Sequence, residues 1–268
     1  MIKPIIDFFK EEKIEYYSVL DFSDVQTINP RLLGRISFTP KSVIVFLIPY
    51  FVNIPKNLSV YAASLDYHII IRELTDKLID RLCTHFPEAS FIGYGDHSPI
   101  DERRAAASAG LGMFGDSQML INEKYGTYTF IADVLTDVDP ILLGAKAAGE
   151  VAECEHCGAC KAVCPTGILR GECPDCLSAI TQRKGELTPD ECELMREANT
   201  AWGCDLCQRV CPHNASAELT PLDFFRRDRI ECLTSELLEG MSDTEFERRA
   251  FAWRKRATVE RNLKILDC

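Results

Sequence analysis

Cys154-Glu155-His156-Cys157-Gly158-Ala159-Cys160-Lys161-Ala162-Val163-Cys164-Pro165 sets three cysteines two residues apart and a fourth three residues further on, directly before proline. A tight loop with this spacing wraps thiolates around a 4Fe-4S cubane. Fifty residues downstream, Cys204-x2-Cys207-x3-Cys211-Pro212 ends in the same Cys-Pro pair. Cys176 lies between the two groups, and together they supply eight thiols, enough for two cubanes.

The first group has the spacing of bacterial ferredoxins, in which the fourth cysteine of the run ligates the other cluster. The interleaved assignment puts Cys154, Cys157, Cys160 and Cys211 on one cluster, and Cys164, Cys176, Cys204 and Cys207 on the other. Cys173 is an alternative to Cys176. Zinc is the rival metal, because CxxC pairs also build four-cysteine zinc sites. A zinc knuckle has no use for a third cysteine at x2 and a fourth at x3 before proline, so iron is preferred. Cys83, Cys192, Cys232 and Cys268 read as ordinary small apolar residues. His156 and His213 read as loop filler beside the clusters.

Composition bounds the rest. A chain of 268 residues with 46% apolar content can bury a sizeable core, which excludes disorder. Its first twenty residues offer no signal-peptide core, so the thirteen cysteines point to a reducing, cytoplasmic setting rather than to disulfides. The longest apolar run, Val43 to Val52, is interrupted by Pro49 and falls well short of the roughly 20 residues that span a bilayer. No membrane partner is expected. A net charge of -11 argues against indiscriminate nucleic-acid binding. Against that average, Arg248 to Lys264 holds seven basic residues and one acidic, which reads either as a solvated helix face or as a contact for an anion or RNA.

Periodicity predicts an α+β fold. Ile5, Ile6, Phe8 and Phe9 behind Pro4 suit a short helix, strands follow near Tyr16 to Leu20 and over VIVFLIPY, and Leu65, Ile69, Leu74, Leu78 and Leu82 predict a helix from Ala62 to His85. SFIGYGD reads as strand into loop. Ser98 to Asp101 matches a capping box opening a helix that runs to about Ala109, with Gly110 ending it. QMLIN and TYTFIADVL, separated by a turn at Glu123 to Gly126, predict a hairpin. Three segments result: a sheet-and-helix domain over 1–150, a ferredoxin-like double 4Fe-4S domain over 151–214, and a helical tail over 215–268 packing on the core, with Asp243 to Trp253 its clearest helix. Gly110-x-Gly112-x-x-Gly115 matches the dinucleotide fingerprint in letters only, because a helix precedes it and a strand follows.

The stretches SVIVFLIPY, YAASLDYH, YGDHSPIDERRAAASAGLGMFG, QMLIN with EKYGTYTFIADVLTD, CPTGIL, CLSAITQ, GCDLCQRVCPHN and EFERRAFAWRKRATVERNLKI resemble the epoxyqueuosine reductase family over most of the chain. The resemblance implies an oxidoreductase of queuosine synthesis that carries cobalamin in the amino-terminal domain, draws on an external low-potential electron donor and acts on tRNA. It favours Cys176 over Cys173, puts Asp96 at the position of the proton donor, and sets Leu120, Ile131 and Ser178 at cobalamin contacts. The implied reaction removes an epoxide oxygen as water and leaves an alkene, at a cost of two electrons and two protons.

The chain departs from the family where a Trp, a Lys and an Asn are replaced by Met113, Asp116 and Ser117, and it stops at Cys268 without the helical-repeat extension of longer members. Two other readings therefore stand beside the first. One is a related cobalamin reductase with another substrate; the other is a ferredoxin-like electron carrier without cobalamin. His97 is the alternative proton source to Asp96.

Overall fold

In the computed structural model the described residues are 1–267. Cys268, expected to be an ordinary apolar residue, lies outside them. The chain forms two compact units: residues 1–49 with 68–156, and residues 50–67 with 157–268.

The first unit is built on a four-stranded sheet of order β1-β2-β6-β3, in which every neighbouring pair is antiparallel. β1 is Tyr17–Asp21, β2 Ser42–Pro49, β3 Phe91–Gly95 and β6 Thr129–Thr136. β2 is central, and all eight of its residues are buried. That explains why SVIVFLIP is a continuous apolar run rather than an alternating one.

Helices cover both faces. Lys3–Glu11 buries Ile5, Phe8 and Phe9, and Phe9 stacks on Tyr17 at 4.3 Å and lies 5.0 Å from Phe46. Tyr67–His85 runs close over β3, where a Cβ at Gly93 would meet Thr75 and one at Gly95 would meet Ile71, each at 2.6 Å. On the opposite face Val43, Val45, Leu47 and Leu135 pack against Ala105, Ala106 and Ala107 of the helix Glu102–Ser108. Three consecutive alanines let that helix approach the sheet.

Several sequence expectations are redrawn here. QMLIN does not pair with TYTFIADVL. Its strand β5, Leu120–Ile121, pairs with β4, Met113–Phe114, and β6 inserts between β2 and β3, because a strand with buried residues along its length gains more inside the sheet than on a hairpin. Ser98 is not a helix cap. Asp101 caps the helix, accepting from the Arg104 N–H at 3.1 Å, and Ser98 turns to Asp133 instead. The long helix starts at Tyr67 rather than Ala62, since Val60–Ala62 is a 3-10 turn tied to the second unit.

The second unit takes in residues 50–67 and begins its second stretch at 157, whereas the segments expected there were 151–214 and 215–268. The Ser59 N–H donates to the Trp202 carbonyl at 2.8 Å, the Val60 N–H to Asp205 at 2.6 Å, and Trp202 Nε1 to the Tyr61 hydroxyl at 3.2 Å. Trp202 is fully buried. The tail does not keep one helix over Asp243 to Trp253: Asp243–Glu247 stops early, Ala252–Arg254 is a 3-10 turn, and Arg256–Leu266 is the longest tail helix. The break falls ahead of Lys255, which adopts a φ of 73°. Cys83 is exposed, and Cys192 and Cys232 are half-buried rather than in the core.

Asn262 joins the tail helix to the cysteine-bearing loops. It is fully buried, and its amide donates to the carbonyls of Thr181 at 2.7 Å and Ala201 at 2.8 Å. Replacing Asn262 by Ala strands the Ala201 carbonyl and leaves that of Thr181 only a 3.4 Å bond from Arg261, and the expected loss is about 1–3 kcal/mol. Urea unfolding followed by circular dichroism checks it; an unchanged midpoint would mean that the two carbonyls find other donors.

Candidate functional site

In the second unit the sequence strings its cysteines on short helices and turns. Cys160 lies in the helix Ala159–Val163 and Cys164 just after it, both buried; Cys176 caps Leu177–Thr181; Cys207 lies in Leu206–Arg209. Backbone N–H groups converge on several sulfurs. Although burial opposes it, the N–H groups of Leu169, Gly167 and Thr166 and the Thr166 hydroxyl hold the Cys164 thiol below its ordinary range. The N–H groups of Ser178 and Ala179 reach Cys176, and that of Leu206 reaches Cys204.

These thiols act on one another. Burial pushes Cys204 up to about 11, with the charges of Cys176, Asp205 and Cys164 adding to it. Burial pushes Cys207 up to about 12, reinforced by Cys204, Cys176, Asp205 and Cys160. Burial raises Cys176 too, and Cys164 adds to the effect. Cys160, Cys164, Cys176, Cys204 and Cys207 are thus close enough to act on one another through charge. A set of N–H donors aimed at sulfurs that repel each other is fitted to a positively charged iron centre, whose ligands are thiolates. Cys157 is exposed and Cys211 half-buried.

Cys154 belongs to the first unit, where its N–H donates to the Phe114 carbonyl at 3.1 Å and its sulfur accepts from the Asp116 N–H at 3.4 Å. His156 Nδ1 sits 2.9 Å from Asp116 Oδ1, so this histidine is hydrogen-bonded to a side chain rather than being loop filler. Gly112 has a structural role: a Cβ there would come within 2.6 Å of the Ile121 carbonyl across the β4–β5 pair.

The first unit holds the second feature. Asp96 follows β3 with a φ of 66°, and its carboxylate, 62% exposed, lies 3.9 Å from His68 Nε2. Gly95 is in register with Ala132, so Asp96 leaves the sheet beside Ile131. Thr129, Phe130 and Ile131 are only partly buried, whereas the rest of β6 is buried. Asp96 therefore stands at a partly open, partly apolar end of the sheet. Leu120 is 4% exposed and serves the core beneath it. Ser178 lies in the second unit, and its hydroxyl accepts from the Gln182 amide at 3.1 Å.

Two carboxyl groups under the Asp96 turn were not singled out from sequence. Asp133 is fully buried on β6, its Oδ1 accepting from the Ser98 hydroxyl at 3.2 Å, and it hydrogen-bonds Glu102. Glu102 Oε1 accepts from the Asp96 N–H at 3.1 Å. Burial raises both carboxyls above the ordinary range, and for Glu102 the charges of Asp133, Asp96 and Asp101 add to it. The signal was present in TFIADVLT: alternation puts position 133 on the same face as Ile131 and Leu135, which pack in the core.

Of the basic stretch at 248–264, the structure ties down much of the charge. Arg249 donates to the Asp228 carbonyl, Arg256 to those of Leu238 and Met241, and Arg261 to those of Arg183 and Gly185. Among the described residues no helix is long and apolar enough to cross a membrane.

Converging thiols on ferredoxin-like loops, in a chain that also carries an acid over an open sheet end, define an iron-sulfur redox protein of α+β fold. Residues 153–214 match the family described as a 4Fe-4S double cluster binding domain. The chain is 33% identical over 178 residues to the epoxyqueuosine reductase of Aliivibrio fischeri, covering 65% of this chain and 47% of that protein. It is 32% identical over 217 residues to that of Gloeobacter violaceus, covering 76% and 64%. A crystal structure of selenomethionine-labelled epoxyqueuosine reductase superposes with a TM-score of 0.81 at 21% identity, over 98% of this chain and 80% of that one. One with an epoxyqueuosine-modified tRNA-Tyr stem loop superposes at 0.79, with the same identity and coverage. In sequence and fold the chain resembles the epoxyqueuosine reductase family, and it spans about half the length of the first curated relatives it matches.

Because Cys176, and not Cys173, shares the field of Cys164, Cys204 and Cys207, the two variants should differ. After anaerobic reconstitution of a chain holding about eight irons, Cys176→Ala should lose about half of them, and Cys173→Ala about none. Iron analysis with EPR reads this, and equal losses would exclude the ligand assignment.

Proposed function

We propose that this chain is a cobalamin- and iron-sulfur-dependent reductase that converts epoxyqueuosine to queuosine in tRNA. The observation that carries the reading is Asp96, a carboxylic acid held on a turn above the open end of the sheet, in a chain that also carries a double-cluster segment. The sequence likeness to epoxyqueuosine reductases supports the choice of substrate.

The reaction takes two electrons and two protons and releases the epoxide oxygen as water. Cys154, Cys157, Cys160 and Cys211 would hold one cluster, and Cys164, Cys176, Cys204 and Cys207 the other, passing electrons singly from an external low-potential donor. Ile131, at the partly buried end of β6 in the first unit, would contact cobalamin. Bound cobalamin supplies a strongly reducing cobalt centre. Asp96, whose carboxylate lies 3.9 Å from His68 Nε2, would protonate the departing oxygen. An acid this open to water is recharged from solvent between turnovers. Thirteen cysteines and a thiolate-based centre suit the reducing cytoplasm.

A second reading, a related cobalamin reductase of another substrate, is favoured by one observation. Asp116 stands where the family has a lysine, and its carboxylate is engaged by His156 at 2.9 Å. A negative group replaces a positive one near the proposed site.

Epoxyqueuosine-containing RNA stem-loops decide between the two. The reconstituted chain should reduce them, and absence of turnover with both cofactors loaded favours the second reading. Where turnover is seen, Asp96→Asn should lower kcat by about 10²- to 10⁴-fold, the contribution of a positioned acid, with clusters and cobalamin retained. Near-parental turnover in that variant would move the proton donor elsewhere, with His97 next to be tested.

A further inference from the structure

Asp96 adopts the left-handed backbone conformation, with φ at 66°, which Asp tolerates better than most residues but which its surroundings must still select. The constraint comes from below. Its N–H donates to Glu102 Oε1, and Glu102 in turn hydrogen-bonds the fully buried Asp133, whose other side is held by Ser98. Two ionised carboxylates cannot make such a bond, because each is an acceptor only. One proton must lie between them. Without it, Asp133 Oδ2 is a buried oxygen that no donor reaches.

We propose that Glu102 and Asp133 share a single proton and act as a latch that positions the Asp96 turn, released when that proton is lost. Glu102 is thereby a positioning residue, and this assignment of its purpose rests on the reading of Asp96 as the acid. The groups that face the pair are Asp133, Asp96 and Asp101 on Glu102, and Tyr94 and Ser98 on Asp133; His68 faces Asp96, and Arg104 pairs with Asp101 at 3.7 Å. The carboxylates among them favour keeping the proton. Since burial raises the pair above the ordinary carboxylate range, the latch is closed at low and neutral pH and is lost as pH rises through the raised value. Loss of the proton leaves two buried charges in contact, and the segment carrying Glu102 or the Asp96 turn must give way.

Two substitutions separate this from ordinary packing. In Glu102→Gln the amide donates permanently to Asp133 while its carbonyl accepts from the Asp96 N–H, so the latch no longer titrates. Asp133→Asn removes the second charge from the other side. Hydrogen exchange of the segment spanning Asp96, measured on the cluster-loaded chain between pH 6 and pH 10 and expressed as protection factors, is the substrate-free readout. In the parent chain protection should fall by about tenfold or more as the pair loses its proton, the change that one pK unit of coupling produces. In both variants it should stay flat. A flat profile in the parent, or an equal fall in parent and Glu102→Gln, overturns the latch.

Turnover supplies the second arm. The alkaline limb of the parent's pH profile should disappear in Glu102→Gln, and kcat at pH 7, lowered in Glu102→Ala, should be recovered by Gln. An alkaline limb kept unchanged in Glu102→Gln overturns the positioning role. If protection behaves as expected and epoxyqueuosine is not reduced, the latch stands and the substrate reading falls.

Discussion

Thiolates brought together in a dry site repel one another, and much of the second unit answers that constraint. Cys207 and Cys204 are held far above the ordinary thiol range by burial and by the charge of neighbouring cysteines and Asp205, and Cys176 is raised by burial and by Cys164. Sulfurs so placed are compatible with a stable fold when positive charge binds them, which is what iron supplies. The scaffold works against the repulsion from outside. The Gly203 N–H donates to Thr181 Oγ1 at 3.0 Å, Thr200 Oγ1 donates to the Gly203 carbonyl at 2.8 Å, and Asn262 ties Thr181 and Ala201 together. These bonds fix the chain on the N-terminal side of Cys204. Residues 50–67 therefore belong to this unit, since their N–H groups complete the same network at Trp202 and Asp205.

What was legible in the sequence follows from the range of the forces involved. Cysteine spacing is local, and seven thiols in two groups with Cys176 between them could be read as a cluster segment before any fold was known. β2 was legible because a strand covered on both faces has no polar positions, and the first helix because Ile5, Phe8 and Phe9 recur at its period. The partner of β6 was not. Local turn chemistry between QMLIN and TYTFIADVL favours a hairpin, and only the placement of β2 and β3 shows that β6 gains more between them. Ser98 misled for a similar reason. It has the letters of a cap, yet a buried carboxylate distant in sequence offered its hydroxyl a stronger partner than the helix end did.

Buried charge was the feature least visible beforehand. Asp133 sits in register with Val45 on one side and Tyr94 on the other, in the middle of an otherwise apolar face. A lone carboxyl there would cost several kcal/mol or neutralise itself. The chain meets that cost with a second carboxyl and a hydroxyl rather than with an arginine. A carboxyl pair sharing a proton carries one net charge, whereas an arginine partner would leave none near Asp96.

The same logic of charge applies to Asp116. Its carboxylate is drawn to His156, and its N–H is directed at the Cys154 sulfur. Backbone donation to a ligand sulfur stabilises the reduced, more negative state of a cluster, while a carboxylate nearby works in the opposite direction. A lysine at this position would have added to the N–H instead of opposing it. With Cys154 as the proposed cluster ligand, exchanging one for the other would alter the electrostatics of that cluster. The His156 imidazole, bridging Asp116 and Glu153 at 2.9 and 3.4 Å, is the group that offsets this change when it carries a proton.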